Sequence, residues 1–233
     1  CCLVCKENEG KSINRMEEYL PVIEKKFHRL LVKGKIERRN AHGTSPVYHA
    51  TAIIIAVLPD GKILLADKTE KQRAKGQNIP LQNHIYDTFG GHMTYERIPE
   101  KELETGISLD TFKKCACREL YEELLVEEDG KRYGIRVRDE NLETVGFYEM
   151  VNDHNKEYSW VFLHRLMYKK KYVSEDTLET QNGWMTIQQP VRAFSYQEIQ
   201  DIFQNNTDGN YLSDGLGRVL RKDDRLKNYI NNQ

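Results

Sequence analysis

The chain has 233 residues, with 35 Lys and Arg against 36 Asp and Glu, a formal net charge of -1. Near-neutrality and a pI of about 6.7 exclude the basic surface that a nucleic-acid-binding domain needs, so no nucleic-acid partner is expected. A mean hydropathy of -0.72 and the lack of any apolar run of about 18 residues argue against a membrane partner.

The N-terminus lacks the basic-then-apolar order of a signal peptide, and the missing initiator Met reads as a trimmed or incomplete start. Five cysteines, an odd number, make a poor disulfide framework, so a reducing cytoplasm is the expected location. Cys2-x-x-Cys5 has the spacing of half a zinc site, but a disordered terminus explains it as simply. Residues 11–39 are expected to be helical. Ile13, Met16, Leu20, Ile23, Phe27 and Leu30 recur at spacings of three and four, Pro21 starts or kinks a helix, and Gly34 stops it. This extension, residues 1–45, either docks on the main domain or forms a homodimer. A linker over residues 42–46 then leads into one domain spanning residues 46–233.

Residues 50–58, rich in isoleucine, read as a strand buried on both faces. Pro59, Asp60 and Gly61 form a turn, and residues 62–66 pair back as a hairpin. Residues 68–82 are a polar loop carrying Lys68, Lys71, Arg73 and Lys75. Residues 85–89 form a short strand ending in Gly90 and Gly91, and residues 109–126 form a helix. Residues 143–151 and 158–167 are strands around a turn at residues 152–155. Ser195 and Glu198 make a capping box that opens a helix through Phe203, and a last helix starts near Ser213. Mixed strands with one central helix and peripheral helices give an α/β or α+β sandwich, a mixed sheet between helices.

On the central helix, Glu119, Glu122 and Glu123 fall within an arc of about 100°. Ala116, Leu120 and Leu124 make an apolar ridge beside them that would fix the helix to a sheet. Like charges so placed repel, and a divalent cation removes the repulsion; hard carboxylate oxygens suit Mg²⁺ or Mn²⁺. A solvated acidic face has the same pattern.

Arg118-Glu119-Leu120-Tyr121-Glu122-Glu123 resembles the core of the Nudix box, G-x5-E-x7-R-E-U-x-E-E-x-G-U, where U is a bulky apolar residue. Val126 matches its last position, Asp110 stands where its first Glu would be, and Gly91 resembles its starting Gly. There are three departures: eighteen residues rather than five separate Gly91 from Asp110, an insertion around residues 93–106; Asp110 replaces Glu; and Leu125 replaces the closing Gly. Tyr48-His49-Ala50, the segments around Lys68 and Asp87, and Asn155-Lys156-Glu157-Tyr158 resemble the Nudix branch related to isopentenyl-diphosphate isomerase, over about residues 47–168.

The resemblance implies a Nudix fold and Mg²⁺-dependent (or Mn²⁺-dependent) hydrolysis of a small-molecule diphosphate, such as a nucleoside diphosphate linked to another moiety. It implies Glu119, Glu122 and Glu123 as metal ligands, Glu157 as base or further ligand, Lys68, Lys75 and Gly91 at the substrate, and an Arg118–Asp110 brace. His49 and His92 match histidines that bind metal in the isomerase, although structural histidines fit as well. The isomerase also needs a Cys just before His92, where Phe89, Gly90 and Gly91 stand, and Asn155 replaces one of its paired glutamates. A non-catalytic Nudix module that binds a ligand is the other class to weigh, supported by Leu125, Asp110 and the insertion. Tyr95, Trp184 and Phe194 are candidates for an aromatic wall against a base.

Overall fold

In the computed structural model the described residues are 2–5, 18–180, 183–205 and 209–213, together with Leu216, Gly217, Val219, Leu220, Leu226 and Asn228. Strand β1 (Cys2–Cys5) precedes a hairpin of β2 (Tyr19–Lys26) and β3 (Arg29–Glu37), helix α1 (Arg38–Ala41), β4 (Tyr48–Val57) and β5 (Ile63–Asp67). Next come α2 (Thr69–Ala74), β6 (His84–Asp87), β7 (Phe89–His92), α3 (Glu100–Thr105) and α4 (Leu109–Glu123). The chain continues through β8 (Leu124–Glu128), β9 (Lys131–Arg136), β10 (Glu143–Asn152), β11 (Asn155–Arg165), β12 (Tyr172–Thr180), β13 (Gly183–Phe194), α5 (Tyr196–Asn205) and β14 (Asn210–Leu212).

The main path of the large mixed sheet runs β1-β9-β8-β12-β13-β5-β4-β11-β10. At its centre β4 runs parallel to β11 and antiparallel to β7. Strand β4 is buried along almost its whole length, as its isoleucines foretell. Its two faces serve different cores. Ala50, Ala52, Ile54 and Ala56 face a cluster with Phe112, Ala116 and Leu120 of α4. Ile55 and Val57 belong to a second cluster with Ile199 of α5 and with Leu216, Val219, Leu220 and Leu226. The small alanines let α4 lie close to the sheet. The fold is thus mixed α+β. Among the described residues no helix is long and apolar enough to cross a membrane.

The N-terminal helix expected over residues 11–39 is replaced, from Tyr19 to Glu37, by the β2–β3 hairpin; residues 11–17 lie outside the described residues. A register shift between Val22 and Ile23 allows Leu20 and Ile23, at helix-like spacing, both to be buried. Phe27, part of the apparent stripe, is instead at the turn with φ 55 and is 85% exposed. The β-branched Val22, Ile23 and Val32 favour this outcome. Ile23 and Leu30 join the same core as α4, so the segment packs on its own domain. Residues 2–5 form β1, paired with β9; the Cys2 and Cys5 side chains lie outside the described residues, and so does their zinc reading.

Helix α4 stops at Glu123 rather than continuing to Val126. Leu124, Leu125 and Val126 are buried and pair with β9 and β12, so strand bonds take over where a glycine cap would otherwise end the helix. The Ser195 capping box forms as expected: Ser195 N–H donates to Glu198 Oε2 at 2.6 Å and Glu198 N–H to Ser195 Oγ at 3.2 Å. Only scattered residues of the last expected helix are described.

Candidate functional site

The start of α4 is fixed by the insertion before it. Ser108 Oγ accepts the Thr111 N–H at 3.3 Å, and Glu102 of α3 accepts from Ser108 N at 2.9 Å and Oγ at 2.8 Å. From that cap the ridge Phe112, Ala116, Leu120 and Leu124 is buried against the sheet. This turns Glu119, Glu122 and Glu123 toward one cleft of ≈ 490 Å³.

Two glycines of β7 make the approach possible. Gly90 has φ 144, and a Cβ there would collide with the carbonyl of Ala52; a Cβ on Gly91 would overlap the Glu119 carboxylate. Gly90 N–H donates to Glu123 Oε2 at 3.2 Å. Arg118 is ion-paired with Glu119, lies 3.3 Å from Glu122 Oε2, and donates to the His92 carbonyl at 3.0 Å. Asp110 is exposed eight residues earlier, about 12 Å along the axis, and is not Arg118's partner.

Burial pushes the Glu119 carboxyl up to about 7, with Arg118 opposing. Burial also raises Glu123, against the pull of Lys68. Carboxylates held together at such a desolvation cost fit a hard divalent cation, and Glu119, Glu122 and Glu123 could hold Mg²⁺ or Mn²⁺.

The opposite wall is cationic. Lys68, exposed in no more than 9% of its side chain, has its ammonium 2.9 Å from Asp176 Oδ2 and 3.7 Å from Glu123 Oε2. Lys71 reaches the same Asp176 oxygen at 2.5 Å. Burial pushes the Asp176 carboxyl up, but Lys68 and Lys71 overcome it and hold it at about 2. Arg38 pairs with Glu18 at 2.7 Å. Lys75 lines the cleft too, but among the described residues no carboxylate lies within ion-pair distance of it. Burial, then Lys71, pull its value down.

A second cavity of ≈ 310 Å³, lined by residues of β4, β7, β10 and β11, shares Gly90, Gly91 and His92 with the cleft and contains Glu157. Glu157 therefore lies with histidines rather than with the three glutamates. The imidazole nitrogens of His42, His49 and His92 come within 4.8 Å of one another. Glu157 Oε1 is 3.6 Å from His49 Nε2 and 3.9 Å from His92 Nε2. His49 Nδ1 is 3.0 Å from the Val47 carbonyl, which fixes its proton there and leaves Nε2 as a bare acceptor. Among the described residues, His49 Nε2 and both ring nitrogens of His92 are buried without a hydrogen-bond partner.

Asn155 organises this cluster: its Oδ1 is 3.1 Å from His42 Nδ1, and its Nδ2 donates to Glu157 Oε1 at 2.6 Å. Burial raises Glu157, but the neighbouring His49 and the hydrogen bond from Asn155 overcome it and hold its carboxyl below the ordinary range. That suits a ligand better than a base. Imidazoles with one carboxylate fit a borderline cation such as Zn²⁺.

Sequence reasoning missed His42, Asp176 and the positioning role of Asn155. His42 sits in a linker with no periodicity, and Asp176 in a stretch with no motif. Of the residues expected in an aromatic wall, neither Tyr95 nor Phe194 lines the cleft. Phe194 stacks edge-on against Tyr86 at 4.8 Å in the second core, Tyr95 lies under Lys35, and the Trp184 side chain is outside the described residues.

No family model matches the chain, and no curated protein does. Among solved structures, a solution structure of the E. coli ORF135 protein is similar at 13% identity over 74% of this chain and 86% of its own, with a TM-score of 0.36. A crystal structure of ADP compounds hydrolase is similar at 10% identity over 91% of this chain and 92% of its own, with a TM-score of 0.34. At these TM-scores neither likeness bears on what the cleft does.

Proposed function

We propose that the chain is a Nudix-type hydrolase that cleaves the diphosphate linkage of a small molecule, such as a nucleoside diphosphate joined to another moiety, with Mg²⁺ or Mn²⁺. The observation that carries this reading is the convergence of Glu119, Glu122 and Glu123 with Gly90, Gly91 and a wall of lysines in one cleft. These are the elements of the resemblance, far apart along the chain and close together in the cleft.

A divalent ion held by the three glutamates would neutralise charge on the diphosphate and acidify a water. Arg118 locks Glu119 and Glu122 to the β7 carbonyl at His92 and so orients the ligand set. Gly91, with no side chain, lets Glu119 stand against the strand. Lys75, which meets no carboxylate among the described residues, takes a phosphate oxygen, and Lys68 adds positive charge deeper in. Glu157 belongs to the histidine cluster, which we read as a seat for a second kind of cation.

That cluster also favours a second reading, an isomerase acting on isopentenyl diphosphate, although Phe89, Gly90 and Gly91 stand where its thiol is required. Incubation with Mg²⁺ and a panel of nucleotide sugars, dinucleotide cofactors, nucleoside triphosphates and prenyl diphosphates in ¹⁸O-water separates these readings. Hydrolysis puts one ¹⁸O into a phosphate product. Conversion of isopentenyl to dimethylallyl diphosphate without label favours the isomerase. No turnover of any member would favour a ligand-binding module.

A further inference from the structure

Asp176 lies on β12, beyond the stretch that carries the resemblance, yet its carboxylate enters the cleft between two lysines. Both ammonium groups converge on one oxygen, Oδ2, at 2.9 Å for Lys68 and 2.5 Å for Lys71. Lys68 is too buried to retreat into solvent. The next carboxylate its ammonium meets is Glu123, at 3.7 Å. Of the other acids near it, Asp87 is already engaged by Ser213 Oγ at 2.5 Å and Thr88 N–H at 2.8 Å.

We propose that Asp176 is a positioning residue for the metal seat: it holds Lys68 off Glu123 and so keeps that glutamate available to a divalent ion. The inference rests on the reading of Glu119, Glu122 and Glu123 as metal ligands. Glu123 Oε2 receives the Gly90 N–H, and it is the same oxygen that Lys68 approaches. With Asp176 in place, the ammonium is shared and stays beyond hydrogen-bond distance of Glu123. With Asp176 neutral, Glu123 is the nearest carboxylate left to the buried ammonium. The ammonium closes on Glu123 as a direct ion pair, and a cation arriving at that carboxylate must first displace it.

The test is a double-mutant cycle read by calorimetric Mg²⁺ titration of the full chain, with wild type, Asp176→Asn, Lys68→Gln and the double variant. In the Lys68 background, Asp176→Asn weakens Mg²⁺ binding by roughly tenfold. In the Lys68→Gln background the same change has an effect below about twofold, because no ammonium remains to capture Glu123. The Lys68→Gln pair also removes the unpaired buried charge that would threaten folding of Asp176→Asn alone. An equal drop in both backgrounds means that Asp176 acts only as a distant charge and overturns the proposal, as does no drop in either. Wild type that takes up no Mg²⁺ overturns this proposal together with the metal-ligand reading beneath it. Normal wild-type uptake with equal drops overturns this one alone.

Discussion

The Glu119 carboxylate fills the space that a side chain at Gly91 would occupy. A methyl group there has to push Glu119 away from β7 or move the strand, and β7 is held to β4 through Ile54, Ile53, Ala52 and Thr51. Gly91→Ala is therefore expected to cost about 1–3 kcal/mol by overpacking and to lower Mg²⁺-dependent turnover at least tenfold by misplacing a ligand. Chemical denaturation and steady-state kinetics check the two effects. Wild-type turnover in Gly91→Ala would mean that Glu119 is not needed where it stands.

Leu125 stands where the resembled motif carries a glycine, and the structure gives the reason. It is a fully buried strand residue opposite Gly134 and Val173. Leu125→Gly is expected to destabilise the fold rather than to repair a cap, and Leu125→Ala to cost about 2–5 kcal/mol in urea unfolding. A neutral Leu125→Gly would show that helix termination matters more than burial.

The Asp176 carboxyl is held at about 2, below the ordinary 3.8, because Lys68 and Lys71 outweigh its burial. The unfolded chain therefore binds the proton more readily than the folded one. The stability this contributes is complete above the unfolded value and is lost as pH falls through about 2. Asp176→Asn should cost on the order of 2 kcal/mol near neutrality and flatten the acid limb of the stability curve. Unfolding midpoints measured from about pH 6 down to pH 2 test this; parallel curves for wild type and variant would refute the assignment.

Three imidazoles and Glu157 converge with ring nitrogens left unpaired, an arrangement that a bound cation would satisfy. Zn²⁺ at about a hundredfold excess over its Kd should stabilise the chain by about 3 kcal/mol. His49→Gln should abolish that gain while leaving Mg²⁺ uptake at the glutamates intact. Thermal melts with and without Zn²⁺ decide the matter, and an unchanged melt in wild type would reduce the cluster to packed histidines.

The sequence carried the central features because they are local. The hydrophobic run of β4, the ridge on α4 and the Ser195 capping box each lie within one element, where periodicity is informative. The β2–β3 hairpin was not legible, because one register shift makes a strand imitate the three-and-four spacing of a helix. Glu119, Glu122 and Glu123 were legible as an arc on one helix. The histidine neighbours of Glu157 were not legible, since which cavity a strand residue faces depends on β11 lying beside β4 in one register. His42 meets His92 and Asn155, and Asp176 meets Lys68 and Lys71, only through the tertiary fold, which no window of sequence reports.

The proposed role of Glu119, Glu122 and Glu123 as a catalytic metal seat stands or falls on Mg²⁺-dependent release of phosphate-bearing products from a diphosphate panel, measured side by side for wild type and a Glu122→Gln, Glu123→Gln double variant of equal folded content. Wild type should turn over substrate only with Mg²⁺, and the double variant should be slower by at least about a thousandfold, the scale on which loss of an electrostatic catalytic element is felt. Turnover that persists in the variant, or that does not depend on a divalent ion, would contradict that role.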